Sequence, residues 1–200
     1  MKERKPKRLK DYNYSDNGYY FVTICTLNRE AWFGKIENGT MLPSSCGEIA
    51  KIFWREIPDH FISVQIDEFT VMPNHVHGIL IIENNPVGNA YMRSLPDRTK
   101  MLLSKVIQQY KSAVTRKINS SRKGFVFKWQ KSFYDHVIRN ETELIRIREY
   151  IQNNPLKWTT DRENPLSKHF NLADDLYWRQ IYHPAGKIHK FPLHKNYQSP

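Results

Sequence analysis

The stretch Ile62-Ser63-Val64-Gln65-Ile66-Asp67-Glu68-Phe69-Thr70-Val71-Met72-Pro73-Asn74-His75-Val76-His77-Gly78-Ile79-Leu80-Ile81-Ile82 sets the architecture of this chain. Ile62 to Met72 reads as one strand, the run from His75 as the next, and only Pro73-Asn74 separates them. Two strands joined so tightly make an antiparallel hairpin. Alternate residues of a strand project to the same side, so His75 and His77 point together while Val76 packs behind them. Two neutral imidazoles side by side form half of a divalent-metal site and need oxygen or nitrogen ligands from elsewhere to complete it. The plain alternative is a pair of histidines hydrogen-bonded on a half-buried strand.

Outward from this hairpin, Tyr19 to Leu27 is β-branched and aromatic-rich and is expected to form a first strand. Phe33-Gly34-Lys35-Ile36 and Thr40-Met41-Leu42, joined through Glu37-Asn38-Gly39, predict a small hairpin with an Asn-Gly turn. Ser45 to Pro58 carries Ile49, Ile52, Phe53 and Ile57 at helical spacing and ends near the proline. Met101 to Asn119 places Leu103, Ile107, Tyr110 and Val114 on one stripe with lysines outside it, a basic amphipathic helix. Phe133 to Arg139 is a fourth core strand. The order β-α-β-β-α-β, with a further helix, is that of a ferredoxin-like α+β arrangement, an antiparallel sheet backed by helices.

That further helix runs from Asn140 to Pro155. Asn140 is a good N-cap with Glu143 three residues on, and the proline closes the far end. Leu144, Ile147 and Ile151 form its apolar stripe, with Tyr150 and Asn154, four apart, on the edge. Folded over the sheet face that the first two helices leave open, this helix brings Tyr150 and Asn154 within reach of His75 and His77.

Charge points to a partner. The net charge is +11, and ten basic residues lie between Arg98 and Lys131 with no Asp or Glu among them. Lys2, Arg4, Lys5, Lys7, Arg8 and Lys10 form a second run, offset only by Glu3. A solvated helix face interleaves both signs, so this asymmetry favours a polyanion, and nucleic acid fits best. Tyr110, Phe125, Phe127 and Trp129 interleave with the charge, a mixture that stacks bases above a phosphate-binding surface, although some of these rings must be core. Lys105, Lys111, Arg116, Lys117 and Trp129 are the candidate DNA contacts.

Two hundred residues with 40% hydrophobic content are enough for one domain. No apolar run is long enough to cross a membrane, and the polar N-terminus lacks a secretory pattern, so a cytoplasmic location is expected. Cys25 and Cys46 offer neither a metal-finger spacing nor a disulfide framework and read as small hydrophobes. Asn84 to Asp97 is the best candidate for a mobile loop. Residues 1–183 are expected to form the domain, its core at about 10–160, with 184–200 as a basic, extended tail that contacts DNA or lies across the cleft. His169, His183, His189 and His194 show no ligand spacing.

The chain resembles the single-tyrosine HUH endonucleases, and among them the REP-associated tyrosine transposases. The resemblance rests on Tyr20-Phe21-Val22-Thr23-Ile24-Cys25-Thr26, on Phe69-Thr70-Val71-Met72-Pro73-Asn74-His75-Val76-His77-Gly78, on Trp129-Gln130 with Phe133, His136, Ile138 and Arg139, and on Tyr150-Ile151-Gln152-Asn153-Asn154-Pro155. It implies metal-dependent cleavage and rejoining of single-stranded DNA. Tyr150 would be the nucleophile, leaving a 5′-phosphotyrosine, and His75, His77 and Asn154 the ligands of Mg2+ or Mn2+. In the more minimal insertion-sequence relatives the residue four after the tyrosine is commonly glutamine, so Asn154 looks like the REP-associated subgroup. The resemblance further implies a hairpin-containing single-stranded DNA partner and action as a monomer rather than a helix-exchanging dimer.

Other readings stay open on residue types alone. Tyr110 and Tyr134 are alternative phenols, the first placed on an apolar stripe. His136 either supports the site or is structural. Zinc is allowed by the donors, although a structural zinc site would need a fourth protein ligand. A binding module without chemistry would keep the basic surface, and a water-using nuclease would tolerate Tyr150→Phe.

Overall fold

The computed structural model describes residues 13–83, 101–121, 124 and 126–167. The N-terminal basic run, the 84–97 loop, Arg98, Lys100, Arg122, Lys123, Phe125, the four late histidines and the 184–200 tail lie outside the described residues. The strands are β1 (Gly18–Cys25), β2 (Gly34–Glu37), β3 (Thr40–Pro43), β4 (Val64–Met72), β5 (His75–Ile82) and β6 (Tyr134–Ile138). The helices are α1 (Ser45–Arg55), α2 (Ile57–His60), α3 (Leu102–Ser121) and α4 (Glu141–Asn153).

Four strands form an antiparallel sheet in the order β4-β5-β1-β6, which is the expected ferredoxin-like arrangement. β1 sits in the middle and is buried at every position, because helices cover both faces of the sheet. One face carries Tyr20, Val22, Ile24, Val76, Leu80, Ile82 and Val137 against α1 and α3. The other carries Tyr19, Phe21, Ile79 and Ile138 against Leu144, Ile147 and Ile151 of α4. The tyrosine helix therefore covers the face the first two long helices leave open, and β-strand alternation puts His75 and His77 on it.

Local rules account for the boundaries. Asn38 and Gly39 both have positive φ (49° and 73°), the two-residue turn that matches strand twist and that an Asn-Gly pair adopts cheaply. Ser44 caps α1 by accepting from the Gly47 N–H at 3.2 Å. The buried face of α1 is Cys46, Gly47, Ala50 and Trp54, with Ile49 and Phe53 only partly covered and Ile52 half exposed. The expected Ile49/Ile52/Phe53 stripe is thus out of phase, because Trp54 claims the sheet: it lies where a Cβ on Gly78 would be, and only glycine leaves that room behind His77. Pro58 does not end the helical path but sits in the short α2 after a break at Glu56.

At the start of α4, Asn140 accepts from the Glu143 N–H at 2.9 Å. The Glu143 carboxylate returns to accept from the Arg139 N–H at 2.8 Å and meets His136 Nε2 at 2.9 Å. His136 is therefore structural, a clamp at the β6–α4 junction. β4 carries a register shift between Ile66 and Phe69, and there Asp67 pairs with Arg148 while Glu68 accepts from Gln152, both on α4. These contacts set the lie of the helix that bears Tyr150.

Candidate metal and tyrosine site

His75 and His77 are 0% and 2% exposed, with ring centroids 4.3 Å apart. Each uses one ring nitrogen inward. His77 Nδ1 lies 2.8 Å from the hydroxyl of Thr23, the residue directly opposite it on β1. His75 Nδ1 lies 2.8 Å from Asn74 Oδ1. Burial is the first cause that holds both imidazoles neutral: His75 is pushed down to about 3 by desolvation and then by the nearby Arg29 charge. His77 sits well below its ordinary range by desolvation and then by His75, with Asp161 opposing. A neutral imidazole is the form that ligates a metal.

α4 delivers the phenol. Tyr150 Oη lies 3.2 Å from His77 Nε2 and 3.3 Å from Asp161 Oδ2, and its ring meets His77 at 5.3 Å between centroids. Asn154, fully buried as the C-cap of α4, donates from Nδ2 to Asp161 Oδ2 at 2.8 Å. Tyr150 therefore meets His77 directly, and Asn154 reaches the same Asp161 oxygen as Tyr150. Tyr110, by contrast, is buried and donates to the Ala50 carbonyl at 3.0 Å on the far side of the sheet.

Asp161 had no signal in the sequence. It follows the short 3-10 turn Trp158–Thr160, and its ligand atom and those of the two histidines lie within 4.8 Å of one another. The buried His75, His77 and Asp161 can hold a metal ion. Two buried atoms there lack any hydrogen-bond partner, His75 Nε2 and Asn154 Oδ1. Leaving such atoms unsatisfied is costly in a folded core, and a bound ion is one partner that takes lone pairs of this kind. The donor set of imidazole nitrogens, a carboxylate and an amide oxygen fits a divalent cation. Asn154 is then a neighbour of the carboxylate as well as a candidate ligand. Residue-type reasoning missed Asp161 because an Asp-x-Glu beyond a helix has no distinguishing spacing, and only the chain's return to β1 brings it in.

The expected DNA contacts divide. Lys105, Arg116 and Lys117 are carried on α3, which packs on the sheet face opposite the histidines. Lys111 is not a free cation: its Nζ donates to the Gln130 carbonyl at 2.6 Å, and burial pushes it down to about 8. Trp129 is corrected from a base-stacking candidate to core. It is 9% exposed, its indole N–H donates to the Lys111 carbonyl at 3.1 Å, and it packs on Phe33, Tyr110 and Phe127. Among the described residues, no helix is long and apolar enough to cross a membrane.

No protein-family model matches the chain. An uncharacterized protein of Haemophilus influenzae is 39% identical over 166 residues, 80% of this chain and 92% of the relative. A solved REP-associated tyrosine transposase bound to a REP hairpin aligns over 96% of this chain and 99% of its own with a TM-score of 0.53 at 18% identity. A candidate transposase of Deinococcus radiodurans aligns over 74% and 97% with a TM-score of 0.43 at 18% identity. The chain belongs to one family with the Haemophilus influenzae protein, and its fold is that of the REP-associated tyrosine transposase.

Proposed function

We propose that this protein cleaves and rejoins single-stranded DNA through a covalent 5′-phosphotyrosine on Tyr150, with Mg2+ or Mn2+ held by His75, His77, Asp161 and Asn154. The observation that carries the reading is the phenol oxygen of Tyr150, 3.2 Å from His77 Nε2 and 3.3 Å from Asp161 Oδ2. A tyrosine used only for packing has no need to aim its hydroxyl at a set of buried metal-type donors.

A divalent ion there supplies Lewis-acid polarisation of a scissile phosphate and neutralises charge developing on its oxygens. Tyr150 Oη forms the bond to phosphorus as the bond from phosphorus to the 3′ oxygen breaks, leaving a free 3′-hydroxyl. A phenol ordinarily titrates near 10, so it needs an acceptor for its proton, and the Asp161 carboxylate, already in hydrogen-bond contact, keeps lone pairs free for it while His77 Nε2 gives its single one to the ion. One phosphodiester replaces another, so a second 3′-hydroxyl can reverse the step without ATP. The similar solved transposase was bound to a REP hairpin, which supports hairpin-containing DNA as the substrate class. Tyr150 reaches the histidines of its own chain, which supports action as a monomer.

The test incubates wild-type and Tyr150→Phe protein with labelled hairpin-containing single-stranded DNA, with Mn2+ or with EDTA, on a denaturing protein gel. A metal-dependent covalent band that is absent in Tyr150→Phe is expected. Cleavage that survives in the variant without such a band means a water-using nuclease and overturns the reading.

A further inference from the structure

Behind His75 runs a chain of hydrogen bonds centred on Asn74. The Asn74 side-chain Nδ2 donates to two backbone carbonyls, that of Arg29 at 3.1 Å and that of Glu163 at 2.8 Å. Carbonyls only accept, so the NH2 end of the amide must face them and Oδ1 must face away. Oδ1 meets His75 Nδ1 at 2.8 Å, and an amide oxygen also only accepts. His75 Nδ1 must then carry the hydrogen, which leaves Nε2 as a lone pair.

That lone pair is the buried ring nitrogen without a partner, on the side of His77 and Asp161. We infer that Asn74 is a positioning residue that locks His75 in the Nδ1–H tautomer and so presents Nε2 as a preformed ligand to the site. The inference rests on the metal site proposed above, but the tautomer itself does not need the ion. Both tautomers are neutral, so the lock chooses which nitrogen bears the proton and does not change charge.

The lock has its own clamp. Arg29 pairs with the Glu163 carboxylate at 2.7 Å, tying together the two segments whose carbonyls hold Asn74. Arg29 and Asn28 adopt left-handed backbone (φ 56° and 54°), a conformation that costs free energy outside glycine and is kept here by the surrounding contacts. The Asn74 main chain is held as well: its carbonyl accepts from the Thr26 N–H at 2.8 Å and the Thr26 hydroxyl at 3.0 Å. In the same turn the Glu163 N–H donates to Asp161 Oδ1 at 2.6 Å. One clamp thus orients a histidine and steadies the carboxylate opposite it.

The test is nitrogen-15 correlation spectroscopy of the histidine side chains in the metal-free full-length protein. His75 is expected as the Nδ1–H tautomer, and a spectrum showing its proton on Nε2 overturns the inference with no variant needed. Asn74→Ala is expected to release the ring to mixed tautomers and weaken Mn2+ binding in calorimetry by about tenfold to a hundredfold, the usual cost of losing such a partner. If Asn74→Ala folds and keeps the wild-type tautomer, Asn74 is not the lock. A wild-type protein with the Nδ1–H tautomer that binds no Mn2+ leaves the lock in place and removes the metal reading instead.

Discussion

The two faces of the central sheet are built from the same strands and do opposite work. On β1 and β5, the residues facing α1 and α3 are apolar from end to end: Tyr20, Val22 and Ile24 beside Val76, Leu80 and Ile82. The residues facing α4 begin apolar with Tyr19, Phe21 and Ile79, then turn polar at Thr23, His77 and His75. Apolar packing thus runs along the whole of one face, while the other combines a smaller apolar cluster with the buried donors of the candidate site. Desolvated imidazoles and a carboxylate are expensive to bury, and the large apolar cluster on the opposite face offsets that cost.

The largest effect is expected on the polar face. Asp161→Asn keeps the shape but removes the charge, and metal-dependent cleavage is expected to fall by about a thousandfold, the equivalent of several kcal/mol of charge stabilisation. Single-turnover cleavage at saturating Mn2+ reads this, and an unchanged rate would mean the carboxylate only holds Asn154 in place. On the apolar face, Leu80→Ala is expected to cost about 2–5 kcal/mol and Trp129→Ala about 3–5 kcal/mol in denaturant unfolding. A Trp129→Ala protein of wild-type stability with weakened DNA binding would return that indole to the DNA surface.

A third effect separates the faces by pH. The folded protein keeps His75 and His77 neutral, while in the unfolded chain each titrates near its ordinary value of 6.5. Below that value the unfolded state binds more protons than the folded one, so stability falls as pH drops through 6.5 toward the folded value of about 3 for His75. The slope is at most about 1.4 kcal/mol per pH unit for each histidine. Denaturant midpoints in EDTA between pH 7 and pH 5 measure it, and replacing both histidines with apolar residues should flatten the curve.

The smallest effect is expected from the outer surface of α3. Lys105→Ala, Arg116→Ala and Lys117→Ala combined should leave cleavage of a short single strand within about twofold while weakening binding to longer DNA. The salt slope should then shrink by about 0.7–0.9 for every phosphate that these cations neutralise in the wild-type complex. An unchanged salt slope would confine the DNA footprint to the α4 face.

Much of the fold is legible in the sequence because period and local chemistry act over a few residues. Strand alternation alone places His75 and His77 together, Asn140 and Glu143 mark the start of α4, and Asn38-Gly39 marks a hairpin turn. The apolar stripe of α3 falls where spacing puts it, at Leu103, Ile107, Tyr110 and Val114, all buried. The α1 stripe does not, since a helix with apolar residues on more than one side takes its phase from its neighbour, here Trp54 against Gly78. Lys111 and Trp129 read as surface residues because composition cannot tell a basic exposed helix edge from one covered by a returning loop.

Spacing along single segments is enough to set the sheet, the paired histidines and the tyrosine four residues before Asn154. It takes the closed fold to bring Asp161 to them and to turn the Asn74 oxygen toward His75. Those contacts link segments tens of residues apart, and they are chosen by which buried donors and acceptors must be paired once the chain has closed around them.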